Sequence, residues 1–306
     1  MTETAYIFPG QGSQYVGMGK DLFECHAGAR EMFERADDIL GFSLSKICFE
    51  GPENELRKTK NTQPAIYLHS IILCSIMEPQ DVGMAAGHSL GEYTALVFSG
   101  AMTFEDGLKL VRLRGELMQE AGEKELGTMA AVVGLSPDVV EKVCREARSS
   151  GVVQCANFNS PGQIVISGSV DGVRKAMEIS KAQGAKLVKE LVVSGAFHSP
   201  LMKSAHEGLK KALHSTSILD ARIPVYSNAA AKPMQKTGEI RTLLEQQLTS
   251  AVRWEESILR MIADGARTII EVGPGKVLQG LVKRIDPTID VRGVDRFVDI
   301  EKFSLV

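Results

Sequence analysis

The stretch Met84-Ala85-Ala86-Gly87-His88-Ser89-Leu90-Gly91-Glu92-Tyr93 constrains the chain more than any other. Small apolar residues run into a Gly-x-Ser-x-Gly pattern and then directly into helix-forming residues. This predicts a buried strand, a sharp turn and a helix. Such a turn needs glycine wherever a Cβ would collide. It lifts one serine, Ser89, to the edge of a parallel sheet and sets its hydroxyl at a helix N-terminus, where free N–H groups favour a developing oxyanion. A chain built on this turn is an α/β chain with a candidate nucleophile. The pattern alone matches many sequences, so its partners have to be found elsewhere in the chain.

Composition removes several function classes. The chain of 306 residues has room for one large domain, or a large and a small one, with ample core. Its formal net charge of −3 argues against nucleic-acid binding, which needs a basic surface. The longest apolar run, Ala65 to Met77, is broken by His69, Ser70, Cys74 and Ser75 and is too short and polar for a bilayer. No secretory signal is expected. Cys25, Cys48, Cys74, Cys144 and Cys155 form no Cys-x-x-Cys pair and read as reduced thiols of a cytoplasmic protein. No histidines or cysteines have metal-ligand spacing, so no metal site is expected.

The order of elements follows from periodicity and turn residues. Thr4 to Phe8 predicts a strand, and Pro9-Gly10-Gln11-Gly12-Ser13-Gln14 a loop after it. That loop is no P-loop, because Met18 stands where lysine is required. It is either a plain βα turn or a loop whose backbone or Gln11 reaches the nucleophile. Residues 20–50 read as helical. Pro64 fits the first turn of an apolar helix beginning at Ala65, with His69 as a satisfied core histidine. Helices are predicted over Gly91 to Val97 and from Thr103 to about Gly122. Residues 126–193 then read βαββαβ, a ferredoxin-like order. The fold class is therefore α/β: a large domain with a parallel sheet, residues 1–125 and 194–306, and an inserted small domain, residues 126–193. Asn157 and Asn159 fall in the turn joining its middle strands, either as turn formers or lining a cleft. Farther on come a strand at Ile223 to Asn228, helices at Ile240 to Leu248 and Trp254 to Asp264, a strand at Thr268 to Val272 and an edge strand at Val291 to Val294.

Two further residues carry chemistry. At about 100° per residue, Arg114 lies mid-stripe on the apolar face of its helix, among Leu110, Val111, Leu117 and Met118. A guanidinium there needs an anion. The anion is either a distant Asp or Glu, or a ligand carboxylate held by the bidentate fork. His198 stands on a loop before a helix opened by Ser199 and Pro200. It is either a surface histidine or a base kept neutral by the nearby dipole. His88 points differently from Ser89 and is expected to pack under the turn.

With these pieces placed, the chain resembles the malonyl-CoA:acyl-carrier-protein transacylases, and more broadly the acyltransferase domains of fatty-acid and polyketide synthases. The resemblance rests on Phe8-Pro9-Gly10-Gln11-Gly12-Ser13-Gln14, Gly87-His88-Ser89-Leu90-Gly91-Glu92-Tyr93, Arg112-Leu113-Arg114-Gly115, Asn157-Phe158-Asn159-Ser160-Pro161-Gly162-Gln163, Ala196-Phe197-His198-Ser199 and Glu271-Val272-Gly273-Pro274-Gly275-Lys276-Val277-Leu278. It implies a hydrolase-like large domain, Ser89 as the acylated nucleophile and His198 as its base. It also implies an oxyanion hole from the N–H groups of Leu90 and Gln11, and Arg114 paired with the malonyl carboxylate. Gln247 is matched to the residue whose backbone carbonyl orients the histidine. Leu90 and Phe197 are the residues malonyl-selective members carry, and Phe197 would crowd an α-methyl branch. Malonyl-CoA is then a substrate and no cofactor is bound, since the phosphopantetheine belongs to an acyl carrier protein as acceptor. A monomer is expected, and the chain's length favours a stand-alone enzyme of fatty-acid elongation; a trans-acting polyketide malonyltransferase and a serine esterase or thioesterase are the alternatives. Lys181, Lys186 and Lys189, or Lys283 and Arg284, could receive an acidic carrier or simply form solvated faces.

Overall fold

The computed structural model describes residues 3–77 and 81–303. In chain order its strands are β1 (Glu3–Phe8), β2 (Val82–Gly87), β3 (Gly127–Val133), β4 (Val153–Ser160), β5 (Gln163–Ser169), β6 (Leu187–Glu190), β7 (Val225–Tyr226), β8 (Pro233–Met234), β9 (Val252–Arg253), β10 (Ala266–Val272) and β11 (Asp290–Val294). They form an α/β molecule with two mixed sheets. The larger has the order β11-β10-β1-β2-β7-β8 and is parallel except for its last pair. The smaller has the order β6-β3-β5-β4-β9 and is antiparallel except for β4 with β9.

β1 sits inside the larger sheet because both of its faces are apolar. Ala5 and Ile7 join one buried cluster with Trp254 and Ile258, while Tyr6 and Phe8 face the other way, against Phe98. A parallel strand covered on both faces reads as a continuous apolar run, as here. The carboxyl ends of β1, β2 and β10 deliver the loop 9–13, the turn around Ser89 and the turn 273–276 to one edge of the sheet. That edge is where open α/β sheets bind ligands. Glu271, buried at the end of β10, accepts the N–H groups of Leu278 (3.1 Å) and Gln279 (3.0 Å) and caps the next helix.

Two helices behind the site depart from expectation in an instructive way. The apolar helix spans Thr59–Met77, so Pro64 lies inside it and not in its first turn. Proline has no N–H for the carbonyl four residues back. Arg112, from the helix Phe104–Lys124, supplies the missing donor: its Nη1 donates to Lys60 O at 2.9 Å and to Asn61 Oδ1 at 2.9 Å. The helices come this close because residue 115 is glycine; a Cβ there would stand 2.8 Å from Thr59 O. Arg112 and Gly115 thus dock the helix that carries Arg114.

The smaller sheet contains the predicted βαββαβ order, with helices Pro137–Ala147 and Val170–Ala182. Three details differ. β4 continues to Ser160, so Asn157 and Asn159 lie in a strand and the turn is only Pro161-Gly162. Register shifts beside both asparagines relax the pleat and let these polar residues stay in it. The strand expected over Ile223 to Asn228 shrinks to β7, which leaves Asn228 free to turn its amide elsewhere. β9, from the later part of the chain, pairs with β4 at Asn157 and Phe158, so residues 126–193 do not make the smaller sheet alone.

Candidate active site

The turn around Ser89 forms because of close approach at both glycines. A Cβ on Gly87 would lie 1.8 Å from the carbonyl carbon of Gly91, and one on Gly91 would lie 2.1 Å from Phe8 O. The left-handed conformation itself falls on Ser89, with φ 52°, and not on a glycine. His198 has the same trait, with φ 56°. Such a conformation costs a residue with a Cβ roughly 1–2 kcal/mol. Strain of this kind persists only where surrounding contacts hold it.

The two strained residues meet. Ser89 Oγ lies 2.8 Å from His198 Nε2. His198 Nδ1 lies 3.0 Å from Gln247 O and 3.1 Å from Ser250 O. Carbonyls only accept, so Nδ1 carries the ring proton and Nε2 presents a lone pair to the serine hydroxyl. His198 is buried, not a surface histidine. Burial first, and then the Arg114 cation, push its pKa down to about 3. The 3-10 turn Pro200–Met202 and then the helix Lys203–Ser215 follow it in the chain. Because this imidazole takes a proton only far below its ordinary range, His198 should give kcat/KM for acylation no inflection near pH 6.5. A pH profile from about 5 to 8 checks this in the wild type and in Glu92→Gln, because burial pushes the Glu92 carboxyl up to about 7; a one-proton fall centred near 6.5 that persists in Glu92→Gln would contradict it.

Arg114 is buried, as its place in the apolar stripe required, yet it has no carboxylate partner among the described residues. Its Nη1 donates to Gln63 Oε1 at 2.9 Å, and Nη2 donates to Ser89 Oγ at 3.0 Å and Gln247 Oε1 at 3.1 Å. Among the described residues its Nε meets no hydrogen-bond partner, and the guanidinium carbon stands 5.3 Å from the centre of the Tyr93 ring. The buried carboxyl of Glu92 is linked to it through Gln247, whose Nε2 donates to Glu92 Oε2 at 3.0 Å. Burial pushes Glu92 up to about 7, against the pull of its hydrogen bonds and of Arg114. Neutral amides therefore hold a charged guanidinium beside the nucleophile, and an anion is the partner it lacks.

These groups open on a cavity of about 250 Å³ between the two sheets. Gln11, Leu90 and Met118 line one side, and Asn157, Val165 and Phe197 another. Among the described residues no backbone carbonyl accepts the N–H groups of Leu90 and Gln11. The Gln11 side chain is exposed and donates to Thr59 Oγ1 at 3.3 Å. His88 does pack near the turn, its ring 5.5 Å from Trp254, but Nε2 is held at 2.9 Å by Asn159 Oδ1 and the residue also borders the cavity. Of the basic candidates, Arg284 hydrogen-bonds Gln163 at the cavity wall, whereas Lys181, Lys186 and Lys189 do not line it. Among the described residues no cluster of His, Cys, Asp or Glu could hold a metal, and no helix is long and apolar enough to cross a membrane.

Several residues of the site carry no local sequence signal. Gln63 lies before Ala65, where the sequence predicts the helix to begin, but inside the observed helix Thr59–Met77. Asn228, inside a predicted strand, sends Oδ1 to the Ser89 N–H at 2.6 Å. Glu92 sits in the nucleophile stretch itself, and a carboxyl on an otherwise apolar helix face was the clue available.

The acyl transferase domain family model matches residues 5–291. A Bacillus subtilis malonyl CoA-acyl carrier protein transacylase is 47% identical over 289 residues, covering 94% of this chain and 91% of that protein. A Haemophilus influenzae protein of the same name is 43% identical over 310 residues, with 99% of each covered. Among solved structures, an acyl-carrier-protein-S-malonyltransferase from Bartonella henselae superposes with a TM-score of 0.95 at 42% identity, covering 98% of both chains. A malonyl-transacylase in complex with its type II PKS acyl-carrier protein also gives 0.95, at 38% identity and 98% coverage of both. With the serine turn, the histidine and the buried arginine in one cavity, and with this match over nearly its whole length, the chain belongs to the acyl transferase domain family, among the malonyl CoA-acyl carrier protein transacylases.

Proposed function

We propose that this protein transfers the malonyl group from malonyl-CoA to the phosphopantetheine thiol of an acyl carrier protein. The observation that carries the reading is Arg114, buried without a carboxylate and 3.0 Å from the nucleophilic oxygen. Ser89 Oγ attacks the thioester carbonyl while His198 Nε2 takes its proton. The oxyanion faces the N–H groups of Leu90 and Gln11, each such donor being worth about 2.7–4 kcal/mol in the transition state. The C–S bond breaks, the coenzyme A thiol leaves with the proton from His198, and malonyl remains on Ser89. The carrier thiol then enters, loses its proton to His198, attacks the ester and leaves as malonyl thioester, restoring Ser89. Gln247 O, with Ser250 O, fixes the histidine for both halves of this ping-pong cycle. A serine esterase for neutral esters has no use for the buried cation.

The same reading makes residues 1–125 and 194–306 a hydrolase-like domain and 126–193 a ferredoxin-like one, supported by the strand order β6-β3-β5-β4. It describes a cytoplasmic monomer without a resident cofactor that supplies fatty-acid elongation. The likeness to a type II PKS partner complex favours testing a polyketide carrier beside a fatty-acid one. The experiment is a transfer assay with each holo carrier protein and competing malonyl-, methylmalonyl- and acetyl-CoA. Malonyl should predominate, with methylmalonyl slower by roughly 10–200-fold because Phe197 and Leu90 border the acyl site. Hydrolysis of malonyl-CoA without transfer to either carrier would overturn the proposal.

A further inference from the structure

Among the described residues four without glycine's freedom have φ in the left-handed region, and two of them are Ser89 and His198. Side-chain amides from outside the cavity hold the backbone of both: Ser89 by Asn228 and, through Nε2 donating to its carbonyl at 2.8 Å, by Gln247, and His198 by Gln154. Asn228 Oδ1 accepts the Ser89 N–H at 2.6 Å and its Nδ2 donates to Gly87 O at 2.7 Å, so one amide spans the turn. Donor and acceptor chemistry allow only this orientation. Asn228 is wholly buried and is itself anchored: its N–H donates to Glu92 Oε2 at 2.9 Å and its carbonyl accepts Arg253 N–H at 2.9 Å. Gln154, on β4, donates through Nε2 to His198 O at 2.8 Å and to Thr249 O at 3.4 Å. It thereby ties the histidine's backbone to the segment whose carbonyls receive Nδ1.

We propose that Asn228 and Gln154 are positioning residues for acyl transfer, Asn228 holding the strained turn of the nucleophile and Gln154 the strained backbone of the base. The inference rests on Ser89 and His198 acting as described above. Without the Asn228 amide the turn relaxes toward an ordinary φ, and Oγ leaves the Nε2 lone pair. Neither side chain lines the cavity, so neither touches the acyl group. Their loss should therefore appear in kcat and not in KM.

The test compares the full chain with Asn228→Ala, Asn228→Asp and Gln154→Ala. The readouts are steady-state malonyl transfer, the rate at which phenylmethylsulfonyl fluoride modifies Ser89, and the thermal midpoint. The sulfonyl fluoride needs neither Arg114 nor a carrier, so it reports the reactivity of the serine itself. Asn228→Ala should lower kcat at least tenfold and Gln154→Ala about three- to tenfold. KM for malonyl-CoA should stay within about twofold, and labelling should slow in parallel. If Asn228→Ala does not fold, Asn228→Asp, which keeps the acceptor for Ser89 N–H, should show the same kcat loss in smaller measure. Folded variants that keep wild-type kcat and labelling rates, whatever their midpoints, would overturn the inference. A wild-type chain that takes no malonyl on Ser89 would instead remove the functional reading beneath it.

Discussion

Ser89→Ala is expected to abolish the covalent malonyl adduct and to lower carrier malonylation by at least about 10⁴-fold, the scale at which loss of an activated nucleophile is felt. The site offers no substitute. His198 Nε2 is turned to the serine oxygen at 2.8 Å, and among the described residues the only other side chain meeting that oxygen is Arg114, through Nη2 at 3.0 Å. Alanine keeps the Cβ and the backbone contacts to Asn228 and Gln247, so the thermal midpoint should move little. Intact-protein mass spectrometry after brief exposure to malonyl-CoA checks this: one added malonyl on the wild type, none on the variant. An adduct that persists on Ser89→Ala would place the acyl group elsewhere.

Arg114→Ala should separate malonyl from acetyl. A buried guanidinium truncated away from a bound carboxylate costs on the order of 2–5 kcal/mol, so malonyl transfer should fall by about 30- to 5,000-fold. Acetyl has no carboxylate to lose. Removing the cation also lifts one of the two leading causes that depress His198, making it a stronger base. Acetyl transfer should thus change by less than about tenfold in either direction. Arg114→Lys keeps charge but not the planar fork and should recover only a small part of the malonyl rate. Side-by-side kcat/KM values for the two acyl-CoAs decide the matter. Equal losses for both would mean that Arg114 serves Ser89 and not the substrate.

How much of this was legible depended on the range over which each signal acts. The turn at Ser89, the helix start at Ser199-Pro200 and the stripe position of Arg114 are local patterns, and each lies where its spacing puts it. The βαββαβ order was readable for the same reason. Pro64 misled because its rule is local but its remedy is not: Arg112 comes from another helix to take the freed carbonyl. Asn157 and Asn159 have turn-forming chemistry, yet strand pairing with bulges outweighed it. Gln63, Gln154 and Asn228 act through single long-range hydrogen bonds, which leave no periodicity in a sequence. Burial of His198 likewise depends on elements far along the chain, so a surface position was an open reading until they were assembled.

The two peptide carbonyls behind His198 have a consequence for charge. A catalytic histidine commonly leans on an acidic residue, which adds a full negative charge to the active site. Here the substrate brings its own. At roughly 6 Å and an effective dielectric near 20, two such charges would repel by about 3 kcal/mol, or a factor of more than a hundred in binding. Gln247 O and Ser250 O orient the ring while adding no net charge. Glu92 stands behind an amide and is pushed by burial toward its neutral form. A histidine oriented by carbonyls thus adds no negative charge of its own beside Arg114, and the malonyl carboxylate meets no anion in the catalytic dyad.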